Sequence, residues 1–181
     1  EYVRANNDEL VATYGNLVHR VLTMVARNFE GKVPEPNDLD EASKKLRDSA
    51  RARFKETSDN LAACHFRMAL QAAMALAHEA NGYLNEKAPW TAVKTNPADA
   101  ATTLWTCLTV INCLKVMTYP FLPSSAAKLH RLLGFDGDIE DVGWNCQRDA
   151  LPAGQSLPKP EPLFVKLDEA VVEQELQRFS S

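Results

Sequence analysis

Glycine is scarce in this chain, 7 of 181 residues, and none of it gathers into the Gly-rich turn that cradles a nucleotide phosphate. The four cysteines, Cys64, Cys107, Cys113 and Cys146, form no Cys-x-x-Cys pair and do not cluster with His19, His65, His78 or His130 at metal-ligand spacing. No metal ligand is therefore assigned, and buried, reduced thiols are expected. Also missing, at any recognisable spacing, is a nucleophile with its base or a working pair of carboxylates, so no catalytic residue is assigned. His19 beside Arg20 and His65 beside Cys64 are neighbours in sequence only, since a helix turns them about 100° apart. Val, Ile and Thr alternate only in short, scattered stretches, which argues against an extended sheet. There is no signal-peptide pattern, internal repeat or low-complexity run. The chain opens in what reads as the middle of a helix, as expected of a piece cut from a longer protein.

What is present favours helix. Hydrophobic residues make up 45% of the chain, enough for one fairly large domain, and Ala, Leu, Glu and Lys are abundant. The expected fold class is all-α: about five main helices in residues 1–133, a long irregular strap over 134–167, and a short terminal helix in 168–181. The net charge of -4 is a property of the tail. Residues 134–181 hold 4 basic and 10 acidic side chains, which leaves 16 basic and 14 acidic in the rest. A faintly positive body neither requires nor forbids a nucleic-acid partner.

The first helix, residues 6–29, organises the rest. Its core arc is Leu10, Tyr14, Leu17, Val21 and Val25, widened by Val11, Val18, Leu22 and Phe29. A breaker-rich loop with Gly31, Pro34 and Pro36 follows. A second helix is expected over 39–57, with Lys44, Arg47, Arg51 and Lys55 in a basic stripe that reads as solvated surface or as a phosphate-facing edge. Ser58, Asp59 and Asn60 offer N-caps for a third helix over 61–84, whose apolar face includes Leu61, Phe66 and many alanines. Pro89 should then fix Trp90 on a rigid turn. Asn96, Pro97 and Asp99 mark the start of a fourth helix. Its only charge up to residue 122 is Lys115, but interrupting Thr, Asn and Pro residues make it a central bundle helix and no membrane span. A fifth helix, 123–133, ends at Gly134, a C-terminal cap. Trp144, Leu151, Leu157 and Phe164 are the strap's anchors, and residues 162–167 read as extended.

Opposite the core arc of the first helix, Asn16 and Arg20 project side by side, four residues apart. Such a polar face either meets water or reads a partner. Trp90 likewise either plugs a core edge or offers its flat face for stacking on an unpaired base. In the second case Asn16 and Arg20 supply hydrogen bonds to base edges, the way single-stranded RNA loops are read. Otherwise the chain is a helical protein-interaction or scaffold module without RNA binding.

The run Gly15-Asn-Leu-Val-His-Arg20, then Asn81 and Ala88-Pro-Trp90, then Pro120-Phe-Leu-Pro123 with Leu132-Leu-Gly134, resembles in order and spacing the C-terminal helical domain of methionyl-tRNA synthetases. Pro162-Leu-Phe164 and an acidic terminal helix also fit. The resemblance implies an anticodon-binding domain. Asn16 and Arg20 would hydrogen-bond anticodon bases, Pro89 would set the turn, and Trp90 would stack on the wobble cytosine of a CAU anticodon. The implied partners are initiator and elongator methionine tRNA and the catalytic domain of the same cytoplasmic polypeptide. ATP and Mg are cofactors of that full-length ligase and none is implied for this chain. His19 stands where the family often has asparagine, on a side of the helix turned away from Asn16 and Arg20. The His-Ile-Gly-His and Lys-Met-Ser-Lys-Ser signatures of ATP activation are absent, so this chain alone should not charge tRNA.

Overall fold

The computed structural model describes residues 6–146 and 151–167, and the expected terminal helix lies outside them. Among the described residues the fold is all-helical, with five main helices and one short one. The first, α1, is π-wound over Asn6–Gly15 and α-helical over Asn16–Asn28. Then come α2 (Glu41–Ala62), α3 (Phe66–Lys87), the short α4 (Pro89–Thr95), α5 (Pro97–Thr118) and α6 (Pro123–Leu132). Among its described residues the strap contains one 3₁₀ turn, Ile139–Val142.

Helix α5 is the axis of the bundle, buried at every position from Thr106 to Thr118. It is long and apolar enough to cross a membrane, yet 94% of its most apolar window is covered by its own neighbours, as in a core helix. Threonines are tolerated there because their hydroxyls donate to the helix's own carbonyls, Thr106 to Thr102 O and Thr118 to Leu114 O, both at 2.8 Å. Its expected start is observed: Pro97 opens the helix and the Asn96 side chain accepts from the Asp99 amide. The core arc of α1 is also as expected, with Tyr14, Leu17, Val18, Val21, Leu22 and Val25 all buried.

Four expectations need correction. Helix α2 does not stop at 57, and Ser58, Asp59 and Asn60 cap nothing. The Ser58 hydroxyl and the Asn60 amide donate back to the carbonyls of Phe54 and Glu56, while Asp59 pairs with Lys55, so these residues continue α2 to Ala62. The third helix consequently starts at Phe66, whose ring is 58% exposed rather than in the core. Trp90 lies in the first turn of α4, not on an open turn. Nor are all four cysteines buried thiols: Cys113 on α5 is disulfide-bonded to Cys146 of the strap, and Cys64 is exposed. A sequence separation of 33 hid that contact, because the path of the strap leaves no periodic trace.

The strap runs back over the bundle. Gly134, at positive φ, ends α6 with its own amide donating to Arg131 O and that of Phe135 to His130 O. One antiparallel bridge pairs Lys32 with Ser156. Leu151 and Leu163 are buried, whereas Trp144 stays 42% exposed while stacking on Phe54 at 4.9 Å. The stretch 162–167, expected to be extended, bends at Leu163 and Phe164 and joins no ladder among the described residues; its end pairs with the Asn7 side chain, which donates to Leu167 O at 2.8 Å and accepts from Leu167 N at 2.9 Å. Phe164 lies 5.7 Å from the Tyr14 ring and directly over Gly15. A Cβ at Gly15 would sit 3.0 Å from both the Phe164 ring and the Leu10 carbonyl, so glycine is required by this close approach.

Lys115 is fully buried, its ammonium 3.0 Å from His130 Nδ1 and 4.2 Å from the centre of the Phe135 ring. Burial pushes its pKa down to about 8. Between that value and the ordinary 10.5 the unfolded chain holds the extra proton, so stability should rise with pH across the interval. Chemical denaturation of wild type and Lys115→Met from pH 7 to 10 should show the wild type gaining on the variant by at least about 1 kcal/mol; parallel curves would mean an unperturbed lysine. Gly15→Ala improves helix propensity by about 1 kcal/mol but overpacks against Phe164 by about 1–3 kcal/mol. A lower unfolding midpoint is expected, and a higher one would place Phe164 elsewhere.

Candidate nucleic-acid interface

The end of α3 meets α4 through a left-handed residue, Ala88 at φ 40°, ψ 56°, immediately followed by Pro89 at the first position of α4. Proline disfavours a helical residue before it, so α3 cannot run on, and the chain turns within one residue. Pro89 itself is buried, and Trp90 next to it is 44% exposed.

A charge cluster holds that corner. The Lys87 side chain is only 15% exposed, and its ammonium donates to Asp40 and to Asp99, each at 2.8 Å. Asp40 caps α2, accepting from the Ser43 amide at 2.8 Å, and Asp99 lies in the first turn of α5. One lysine thus ties the C-terminus of α3 to the N-termini of α2 and α5, with both carboxylates placed favourably for the helix dipoles. The Lys87 hydrogen bond, helped by Ser43, holds the Asp40 carboxyl at about 2. Burial alone would lower the Lys87 pKa, but its two carboxylate partners outweigh that and raise it.

Against this corner lies the polar face of α1. Arg20 Nη2 donates to Asn85 Oδ1 at 3.0 Å, and the guanidinium carbon stands 5.1 Å from the centre of the Trp90 ring. That distance is within cation–π range. Asn16 is exposed one turn earlier, about 6 Å back along the axis. Asn81, part of the same sequence pattern, has another job: its amide donates to Thr13 O at 3.0 Å and ties α3 to α1. His19 is exposed. Arg20 and Trp90 thus meet on one surface, Asn16 is exposed one turn earlier on the same helix, and Trp90 plugs no core edge.

The basic stripe of α2 is less uniform than its spacing implied. Lys44 pairs with Glu41 at 2.8 Å, Lys55 with Asp59 at 2.6 Å, and the Arg47 guanidinium stacks on Trp105 at 4.9 Å. Arg51 is exposed. From Lys44 to Lys55 the stripe extends about 16 Å away from the end of α2 that Lys87 holds. Sequence reasoning missed the roles of Asn85 and Lys87; Asp99 and the cap position before α2 were visible signals, but their shared cation comes from another helix.

Among the described residues no group of three or more His, Cys, Asp or Glu side chains could hold a metal ion. The fold and this surface define a helical bundle with an exposed aromatic ring and cation at one corner, a binding surface in character. Residues 33–181 match the family described as the anticodon binding domain of methionyl tRNA ligase, and the chain belongs to that family. It is 51% identical to a methionine–tRNA ligase of Dehalococcoides mccartyi, covering 98% of this chain and 32% of that protein. For the methionine–tRNA ligase of Thermomicrobium roseum the identity is 43%, over 98% of this chain and 34% of that one. The structure of Mycobacterium tuberculosis methionyl-tRNA synthetase in its apo form superposes with a TM-score of 0.83 at 29% identity, over 92% of this chain and 34% of that one. A second structure of that enzyme, in complex with methionyl-adenylate, gives 0.81. The chain therefore spans about a third of the length of the relatives it matches.

The Lys87 grip makes an acid-side prediction. Because the Asp40 pKa is depressed when folded, its contribution is present above about pH 4 and lost as pH falls toward 2. Lys87→Met should cost about 1–2 kcal/mol near neutral pH, with a smaller cost at pH 2. A pH-independent cost in urea denaturation would assign Lys87 a packing role only.

Proposed function

We propose that this chain reads the CAU anticodon loop of methionine tRNA. Trp90, set by Pro89, stacks on the wobble cytosine, while Asn16 and Arg20 hydrogen-bond base edges. The observation that carries this reading is the Arg20 guanidinium beside the half-exposed Trp90 ring. An exposed indole with a cation at its side offers an unpaired base a π-face and donors together. Lys44, Arg47, Arg51 and Lys55 are the proposed phosphate neighbours, and Lys44, Arg51 and Lys55 among them are exposed. Phosphate contacts position the RNA and base contacts select it.

Residues 1–181 act, in this reading, as one recognition domain of a longer cytoplasmic polypeptide, a methionine–tRNA ligase that serves initiator and elongator tRNA. Its catalytic domain joins methionine to tRNA at the expense of ATP with Mg. The residues described above supply neither a phosphate cradle nor a metal-ligand cluster, so no step of that chemistry is assigned to them.

In the full-length polypeptide, Trp90→Ala and Arg20→Ala should each weaken a CAU stem-loop by about tenfold to a hundredfold, the range of a lost base stack. A loop with another anticodon should lose far less. Gel-shift or anisotropy titration of both loops reads this directly; equal losses would leave sequence-independent binding, and no loss would favour the scaffold reading.

A further inference from the structure

We propose that Asn85 is a positioning residue for Arg20, an inference that rests on the anticodon reading for its purpose but not for its geometry. An arginine on a helix surface samples many rotamers, and a base edge is read only if the guanidinium fork stands in one place. Here three elements converge on it: α1 provides Arg20, the last turn of α3 provides the Asn85 oxygen at 3.0 Å, and α4 provides the Trp90 ring at 5.1 Å. Asn85 accepts one N–H of the guanidinium, whose carbon stands over the Trp90 ring.

The chemical type at position 85 matters. Guanidinium carries five N–H donors and its bond to Asn85 uses one, which leaves the others for a base or a phosphate. A carboxylate there would bind the fork through two donors and cancel the charge that draws RNA. An amide oxygen orients the cation without neutralising it. The two carboxylates at the corner, Asp40 and Asp99, are both held by Lys87. Asn85 itself is exposed, so its bond to Arg20 stiffens the surface and does little for the core.

The test uses the full-length polypeptide with Asn85→Ala, Asn85→Asp, Arg20→Ala and the Asn85→Ala/Arg20→Ala pair, each checked for wild-type helicity and unfolding midpoint. The first readout needs no RNA. The near-UV signal of Trp90, isolated from all other tryptophans by subtracting a Trp90→Phe spectrum, should change alike in Asn85→Ala and Arg20→Ala and persist in Asn85→Asp, which keeps the acceptor. The second readout is affinity for the CAU stem-loop. Asn85→Ala should weaken it about three- to tenfold, the scale of one net hydrogen bond, with no further loss when Arg20 is already alanine. Asn85→Asp should bind more weakly than wild type, with a shallower salt dependence. An unchanged Trp90 spectrum in Asn85→Ala, or a loss that adds in full to that of Arg20→Ala, overturns the proposal. Failure of the anticodon reading has a different signature: Arg20→Ala and Trp90→Ala then leave the stem-loop affinity intact whatever the RNA-free spectra show.

Discussion

The structure depends on one constraint, that α5 must be covered on every side. Every position from Thr106 to Thr118 is buried, and even its threonines, Asn112 and Lys115 are kept from water. The α2–α3 hairpin covers one flank, α1 and α6 others, and the strap closes what remains with Leu151 and Leu163. Burial of a leucine-sized side chain contributes about 1.5–3 kcal/mol, so a helix of this kind dominates the balance against chain entropy. Lys115 fits the same logic. A cation there is admissible only because His130 and the Phe135 ring take the place of water, and its depressed pKa measures how incomplete that exchange is.

How much of this was legible followed from the range of the interaction. The arc of α1, the start of α5 and the ends of α6 are set by residues within a turn or two of each other, so period and cap residues located them. Ser58, Asp59 and Asn60 misled because capping and back-bonding use the same side chains, and only the continuing packing of α2 decides between them. The strap was legible as irregular but not in its path. The Cys113–Cys146 bond, the Asn7–Leu167 pairing and the seat of Phe164 over Gly15 join residues far apart in sequence, and no periodicity encodes such contacts. For the surface, Asn16 and Arg20 were visible as a pair and Trp90 as an anomaly beside a proline. Their convergence was not, because it needs the crossing of α1 over α3 that Asn81 and Asn85 fix.

The corner at Trp90 also shows where the fold departs from its own easiest course. Ala88 occupies the left-handed region that costs a non-glycine residue about 1 kcal/mol or more, and the largest side chain nearby is left 44% exposed. Neither feature helps the bundle: a glycine at 88 would relieve the first and a polar residue at 90 the second. What holds them is a local surplus, since Lys87 with two carboxylates and the buried Pro89 overdetermine the turn. A ring fixed in this way loses little further freedom when a flat partner arrives. The stacking energy of about 1–3 kcal/mol then appears in affinity rather than being spent on ordering the protein. On the proposed reading, strain and exposure at this corner are the folded chain's share of the cost of recognition, met before the RNA binds.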